Sequence, residues 1–154
     1  MIIDFRFSNF RSFKDEARLC LDRDGSIDRP AQDVAAVYGA NASGKTNVVH
    51  AIALFRGIVL SNARLNSADQ IGYQPFLLDS CENEPYLTEV TFDLEGMVYR
   101  YGFEIASDGV RSEWLFTSKD VAAFRADEED ALFVFDGLDV TGSQSKAIRE
   151  LLPR

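Results

Sequence analysis

Residues 33–60 read DVAAVYGANASGKTNVVHAIALFRGIVL, and they decide how the rest of the chain is interpreted. The short apolar run Asp33–Tyr38 is bounded by turn residues, which is the pattern of a buried central strand. From Thr46 to Leu60, apolar side chains recur at intervals of three and four residues, which predicts a helix. Because so few of its side chains are polar, we expect this helix to be covered on most sides. The stretch between the two elements is therefore a loop that joins a strand directly to a helix.

This loop matches the pattern G-x-x-x-x-G-K-[ST] in full. Its glycines allow backbone dihedral angles that bring N–H groups close to phosphate oxygens. The first N–H groups of the following helix have no partner within the helix, and the positive end of the helix dipole lies there too. A strand–turn–helix joint that is merely rich in glycine would explain the glycines but not the Lys-Thr pair that follows them. The sequence therefore predicts a phosphate-binding loop.

Each position of the loop has an expected role in binding ATP and Mg²⁺. Lys45 supplies a positive charge to the β- and γ-phosphates, and Thr46 offers its hydroxyl to Mg²⁺. Asn47 adds one more backbone N–H group. The predicted nucleotide-binding residues are Gly39, Ala40, Asn41, Ala42, Ser43, Gly44, Lys45, Thr46 and Asn47.

Composition excludes several other classes of function. The chain has 154 residues, about the length of one domain, and its 46% hydrophobic and 27% charged residues are typical of a soluble globular protein. The formal net charge is −9, so we expect nucleic acid to be bound only through a partner or a region outside this sequence, and no membrane to be bound. A single histidine, His50, with Cys20 and Cys81, leaves little material for a zinc site or a Ser–His–Asp triad. Without a secretory signal or an apolar span, the predicted location is cytoplasmic.

The segments on either side of the loop and helix have the pattern of antiparallel strands. Met1–Phe7 alternates in hydrophobicity and Ala17–Leu21 follows a polar stretch, so these two strands are predicted to pair. Ala131–Phe135 is another short strand that turns at Asp136–Gly137, and Ser143–Leu152 begins like a helix. Three more apolar runs are separated by Gly-containing turns, which is typical of hairpins: Leu87–Leu94, Met97–Ala106 and Val110–Ser118. Nucleotide kinases and small GTPases instead place parallel strands and crossover helices after the loop.

Three stretches carry a resemblance to a known family: FRFSNFRSFKD (5–15), VYGANASGKTNVVHAI (37–52) and PFLLDSCENEPYLTEVTFDLEGMVYRYGFEIASDGVRSEWLF (75–116). They resemble the SMC/RecF-like branch of ABC-type ATPases, and within it the bacterial "AAA family ATPase" or "ATP-binding protein" group associated with phage defence and abortive infection. The resemblance implies an α/β fold, the first lobe of an ABC-like P-loop NTPase. A mixed sheet with antiparallel β-hairpins would surround the phosphate-loop helix. It also implies an ATPase that hydrolyses ATP when complete, in phage defence or DNA repair.

The same resemblance points to two residues outside the phosphate loop. In this family the basic residue of the NFRSF segment lies near the bound nucleotide, which makes Arg11 a candidate for nucleotide binding. A glutamine of the family lies near the metal ion and the attacking water, which makes Gln74, in IGYQPF, the candidate catalytic residue. The alternative for both is an ordinary solvated surface side chain.

Hydrolysis needs an acidic residue at the end of an apolar strand to organise Mg²⁺. The candidates are Asp79, Asp93 and Asp136, and none of them is followed by a second acid. In the family, the signature motif, the acidic pair and the switch histidine come in a C-terminal half. We therefore expect residues 1–154 to form an N-terminal lobe that binds ATP and works with a missing half or a second subunit, as a homodimer when complete. Two alternatives stay open: a small P-loop phosphotransferase (kinase), and a non-catalytic ATP-binding interaction module.

Overall fold

Among the described residues, seven strands form one sheet, and one long helix lies against it. The computed structural model describes residues 1–21, 34–61, 72–107, 109–119, 129–136 and 139–141. In space the strands follow the order β2-β1-β3-β4-β5-β6-β7, and each is antiparallel to its neighbours. Along the chain the elements are β1 (Ile2–Ser8), β2 (Ala17–Cys20), α1 (Lys45–Ser61), a 3₁₀ turn (Ser80–Asn83), β3 (Tyr86–Leu94), β4 (Met97–Ala106), β5 (Gly109–Ser118), β6 (Asp130–Asp136) and β7 (Asp139–Thr141).

The alternation along β1 separates the two faces of the sheet. Phe5 is buried and pairs with Val90 on β3, while the next residue, Arg6, pairs with Glu89. Directly opposite residues of an antiparallel pair share a face, and successive residues point to opposite faces. One face is therefore apolar and receives the helix, and the other carries charged side chains.

Helix α1 packs on the apolar face through a narrow row of side chains. Ala51 and Ile58 are buried in the same core cluster as Phe5. The ring of Phe55 stacks on Phe103 with 5.2 Å between centroids, and it meets Phe5 edge-on at 5.9 Å. Such aromatic pairs add about 0.5–1.5 kcal/mol to what burial alone contributes. The helix predicted over residues 46–60 is confirmed with one more residue at each end.

The predicted hairpins are also confirmed, to within a residue or two at each strand end. The turn between β3 and β4 is formed by Glu95 and Gly96, whose φ angles are 55° and 84°. Two positive φ angles in a two-residue turn match the right-handed twist of the flanking strands. At the far end of the sheet, Asp136 pairs with Asp139, so β6 and β7 form a further hairpin.

On the opposite face of the sheet, a buried carboxylate is held by two donors. Glu89 is 3% exposed, and its two oxygens accept from Arg6 Nε at 2.7 Å and from Trp114 Nε1 at 2.6 Å. Gly102 makes room for this arrangement, because a Cβ atom there would lie 2.6 Å from the Trp114 ring. A buried charge costs little only when it is paired and hydrogen-bonded, and Glu89 is both.

The prediction of a buried central strand over residues 33–38 is wrong for the described part of that segment. Residues 34–40 form no strand, and Val34 and Tyr38 are 80% and 90% exposed. A buried strand needs a partner on each side, and the sheet order from β2 to β7 contains no place for this segment. The prediction of a mixed sheet is also wrong for the described residues, because every pair of neighbouring strands among them is antiparallel.

The expectation that the helix is covered on most sides is also wrong within the described ranges. A single sheet contacts only one side of α1, and Val49 and Leu60 on its outer side are each 63% exposed. The helix predicted at residues 143–152 lies outside the described residues.

Candidate functional site

The loop of residues 39–44 leads directly into the first turn of α1. The N–H of Ser43 donates to the carbonyl of Ala40 at 3.3 Å, and the N–H of Asn47 donates to the carbonyl of Gly44 at 2.8 Å. Ala42 and Gly44 have positive φ angles of 63° and 89°. A turn of this kind before a helix N-terminus forms a concave set of backbone N–H groups, which is the arrangement that binds anions.

Close contacts lie beside both glycines of the motif, and those at Gly44 require a glycine. A Cβ atom on Gly44 would lie 2.8 Å from the Ser12 hydroxyl oxygen and 3.0 Å from the Phe13 ring. A Cβ atom on Gly39 would lie 2.8 Å from the Ser43 hydroxyl oxygen. The loop therefore rests against the segment that joins β1 to β2, and at Gly44 there is room for a bare backbone only.

The Lys45 ammonium group folds back over the loop. It donates to the carbonyl oxygens of Gly39 and Ala40 at 2.8 and 2.5 Å, and it lies 3.5 Å from the Ser43 hydroxyl oxygen. All three acceptors are neutral, and none of the ion pairs among the described residues involves Lys45. The positive charge is therefore oriented by the loop without being neutralised by a carboxylate.

Arg11 lies in the segment between β1 and β2 and contacts side chains of α1. Its φ angle is 51°, and its backbone N–H donates to the carbonyl of Gln74 at 3.0 Å. Its side chain donates from Nε to Gln74 Oε1 at 2.6 Å and from Nη1 to Asn47 Oδ1 at 3.4 Å. Arg11, Gln74 and Asn47 were each singled out in the sequence, and the structure brings them together at the start of α1.

An open cleft of about 710 Å³ lies beside this cluster. Arg11, Ser12 and Asn47 form one side of it, and residues 73–78 form the other. The Asn47 side-chain amide donates to the Ser12 hydroxyl at 2.8 Å, which links the helix to the segment between β1 and β2. Two apolar side chains on the opposite rim, Leu77 and Leu78, are 70% and 89% exposed.

His50 is the member of this cluster that sequence reasoning missed. Its Nδ1 atom contacts Nη1 of Arg11, the same nitrogen that Asn47 contacts. The available signal was the spacing, because residues 47 and 50 are three apart on a helix and therefore share a face. Nothing in the local sequence, however, indicates that Arg11 reaches that face.

Two of the three acidic candidates lie far from Thr46, and the third is engaged by a lysine. Asp79 forms an ion pair with Lys14, and Asp93 accepts from the N–H of Gly96 in the β3–β4 turn. Asp93 lies beside the first residues of β1, whereas the loop contacts the segment that follows the last residue of β1. At the usual rise per residue, these two ends of β1 are about 20 Å apart. Asp136 is on β6, four strands from β1, a lateral distance of about 19 Å. No cluster of three or more His, Cys, Asp or Glu suited to hold a metal ion occurs in the described ranges.

The loop, the helix that follows it and the two cations that pair with no carboxylate among the described residues define a phosphate-loop domain. A family model described as "AAA domain, putative AbiEii toxin, Type IV TA system" matches residues 34–134, which is more than half of the chain and includes the loop, α1 and most of the sheet. The chain belongs to this family of AAA-type P-loop domains, and membership indicates nucleotide binding. No curated protein matches the chain. Within the described part of the chain, no helix is long and apolar enough to cross a membrane.

The residues present fit the ATP and Mg²⁺ that P-loop domains of this kind typically bind. Gly44 lets the loop backbone pack closely against the segment after β1, and the Lys45 ammonium group is held over the loop by two carbonyl oxygens. Thr46 is exposed in the first turn of α1, where a hydroxyl can serve as an oxygen ligand for Mg²⁺. The donor set is therefore suited to a polyphosphate with its metal ion.

Proposed function

We propose that this chain is the ATP-binding lobe of an SMC/RecF-like ABC-type ATPase, and that it binds MgATP through Gly39–Asn47 with Arg11 as a second cation. The proposal rests on the chemical nature of the groups that hydrogen-bond to the two cations, Lys45 and Arg11. Lys45 and Arg11 are held by carbonyl, amide, hydroxyl and imidazole groups, none of them a carboxylate.

Other arginines of the described residues have a different environment. Arg6, Arg18 and Arg100 each contact a carboxylate, at 2.7, 2.8 and 2.6 Å. A paired arginine has little charge left to offer, whereas an arginine held by neutral groups keeps its attraction for an anion. Two such cations at one helix N-terminus favour a ligand with several negative charges, such as a triphosphate.

In this proposal each residue has a distinct role. Backbone N–H groups of the loop and Lys45 hold the phosphates, and Thr46 provides an oxygen ligand for Mg²⁺. The bound metal ion supplies charge neutralisation at the phosphate oxygens. Gln74 is the candidate for orienting the attacking water, and its side chain is already fixed by the hydrogen bond from Arg11.

We also propose that a C-terminal half or a second subunit completes the site. The described residues leave apolar side chains uncovered on both sides of the loop: Val34, Val37 and Tyr38 before it, and Val49 and Leu60 on α1 after it. Uncovered apolar surface of this kind marks an interaction site. The second part would supply the signature motif and the acidic residue that organises Mg²⁺. The complete protein would act as a homodimer in phage defence or DNA repair.

One observation favours a second candidate, a non-catalytic ATP-binding module. Among the described residues, no cluster of three or more potential metal ligands occurs, and Asp79 and Asp93 are engaged by Lys14 and by the N–H of Gly96, which favours binding over turnover by this part of the chain. Both candidates predict binding of MgATP by the chain. They differ in whether a second lobe restores hydrolysis.

The test is a calorimetric titration of MgATP into the wild-type chain and three variants. Lys45→Ala removes a charged donor, worth about 1.5–3 kcal/mol, so we expect about 10- to 150-fold weaker binding. Thr46→Ala should weaken binding in the presence of Mg²⁺ more than in its absence. The control, Arg56→Ala, removes one positive charge from the same helix about 16 Å further along, beyond the Debye length at physiological salt, and should bind like the wild type.

Phosphate release, measured on the same samples, separates the remaining readings. Binding without turnover supports the lobe or the non-catalytic module, and turnover that appears only with the C-terminal half added supports the lobe. Transfer of the γ-phosphoryl group to a small molecule by the chain alone would instead support the phosphotransferase. Binding by Lys45→Ala that equals wild-type binding would refute the site.

A further inference from the structure

Asn47 and His50 both contact one side-chain nitrogen of Arg11. Nη1 of Arg11 donates to Oδ1 of Asn47 at 3.4 Å and contacts Nδ1 of His50, while Nε donates to Gln74. The two helix residues are three positions apart, so both face the guanidinium from one side of α1. The Phe10 ring lies 5.4 Å from the guanidinium carbon. Arg11 is thus fixed in place by contacts from the helix, from the Gln74 segment and from an aromatic ring.

The chemistry of the contact fixes the tautomer of His50. A guanidinium N–H can only donate, so the ring nitrogen that faces it must accept. A hydrogen bond from Arg11 therefore requires Nδ1 without a proton and the ring proton on Nε2. In this form His50 orients Arg11 without cancelling its charge, which a carboxylate in the same place would do.

We infer that His50 is a positioning residue for nucleotide binding: through Nδ1 it holds the Arg11 guanidinium beside the first turn of α1, where Arg11 acts as the second cation on the polyphosphate. This inference rests on the proposed function, because it assumes that the phosphate loop binds a nucleotide. It goes beyond that function by assigning a role to a residue that does not itself contact the nucleotide.

The contact is placed where orientation matters most. Arginine is long and flexible, but the segment that carries Arg11 is fixed by two hydrogen bonds. The N–H of Arg11 donates to the carbonyl of Gln74, and the N–H of Phe76 donates to Oδ1 of Asn9. A side chain already held in the binding geometry loses less freedom when its ligand arrives, so the ligand binds more tightly. Removing His50 should therefore weaken nucleotide binding through Arg11 and through no other group.

Four variants test this by calorimetric titration with MgATP. His50→Leu removes the acceptor, and we expect about two- to tenfold weaker binding, the loss of one ordinary hydrogen bond. His50→Asn keeps an acceptor oxygen close to the position of Nδ1 and should restore binding to near the wild-type value. Arg11→Ala should be weaker than His50→Leu, and the double variant should bind no more weakly than Arg11→Ala alone. ADP should show a smaller effect of His50→Leu than ATP.

A second readout does not depend on nucleotide. His50 is the one histidine in the sequence, so its imidazole nitrogens give a single, unambiguous set of nitrogen NMR signals. We expect Nε2 to be protonated and Nδ1 to be an acceptor in the wild-type chain. The Nδ1 signal should change in Arg11→Ala and stay unchanged in Arg56→Ala. Urea unfolding midpoints of all variants establish that the comparison is made on folded protein.

The outcomes separate this inference from the proposed function. If Lys45→Ala abolishes binding while His50→Leu binds like the wild type, the inference is overturned and the proposed function stands. If the losses in Arg11→Ala and His50→Leu simply add in the double variant, or if His50→Asn is as weak as His50→Leu, His50 does not act through Arg11 and the inference is overturned. If the wild-type chain binds no nucleotide, the proposed function and this inference fall together.

Discussion

Replacing Gly44 with alanine tests whether the phosphate loop is pinned in the backbone conformation described above. The φ angle of Gly44 is 89°, and a Cβ atom would lie 2.8 Å from the Ser12 hydroxyl oxygen and 3.0 Å from the Phe13 ring. Ser12 can rotate away, but Phe13 cannot easily retreat, because its ring packs edge-on against the buried Phe7 at 5.1 Å. The left-handed backbone costs about 1–2 kcal/mol and the overpacking about 1–3 kcal/mol. We expect the free energy of unfolding to fall by about 2–5 kcal/mol.

Gly57, in the helix that follows the loop, provides a matched control. It lies in the interior of α1, and a Cβ atom there would have nothing within 4 Å. Alanine is a better helix former than glycine, so Gly57→Ala should raise the free energy of unfolding by about 0.5–1 kcal/mol. The same substitution is thus expected to have opposite signs at two sites thirteen residues apart.

Urea unfolding followed by far-ultraviolet circular dichroism measures both changes. The linear dependence of the free energy on urea concentration gives the difference between each variant and the wild type. A Gly44→Ala variant within about 0.5 kcal/mol of the wild type, the range of an ordinary surface substitution, would refute the reasoning. It would mean that the loop does not rest against Phe13 with a positive φ angle.

Three further predictions concern the sheet. Glu89→Ala should lower the free energy of unfolding by about 1–3 kcal/mol in urea, because Trp114 Nε1 loses its acceptor while Arg6, with a side chain 32% exposed, can reach water; a change below about 0.5 kcal/mol would contradict these contacts. Gly102→Ala would place a Cβ atom 2.6 Å from the Trp114 ring, so it should cost about 1–3 kcal/mol and shift the emission of this single tryptophan, and unchanged emission would argue against the contact. Burial raises the pKa of Tyr86 from 10.0 to about 12. The folded state therefore keeps this proton at a pH where the unfolded state has lost it, and stability should fall as the pH rises from 10 to about 12. Tyr86→Phe should make that fall shallower in urea titrations, and an identical slope would show that Tyr86 is not the group responsible.

The antiparallel strands could be predicted from the sequence because their signals are local. Alternating side chains and the Glu95–Gly96 turn fix the pairing of β3 with β4 without reference to distant residues. The apolar run before the phosphate loop is different. Whether residues 34–38 become a buried strand depends on the strands that flank them, and that information is not contained in the run itself. Its exposure in the structure follows from the lack of such partners among the described residues.

The candidate site divides in the same way. The phosphate loop was predictable because its residues are contiguous and their chemistry is specific. Arg11 and Gln74 came from the family resemblance, and their mutual hydrogen bond joins residues 63 positions apart. The Arg11–His50 contact spans 39 positions and depends on the left-handed conformation of Arg11, which no local pattern indicates. Contacts of this kind are properties of the folded chain, so the histidine had no visible role in the sequence.

The charge of the chain makes the neutral partners of Lys45 and Arg11 more significant. At a formal net charge of −9, the protein as a whole repels a polyphosphate. Salt screens this repulsion beyond about 8 Å, so an anion that reaches the loop responds mainly to the groups beside it. Those groups are two cations whose hydrogen bonds go to neutral atoms, the N–H groups of the loop and the start of α1. A carboxylate at any one of these acceptor positions would satisfy the same hydrogen bonds and remove the local attraction. The choice of neutral acceptors, more than the presence of basic residues, is therefore what makes this corner of an acidic protein suited to hold a nucleotide.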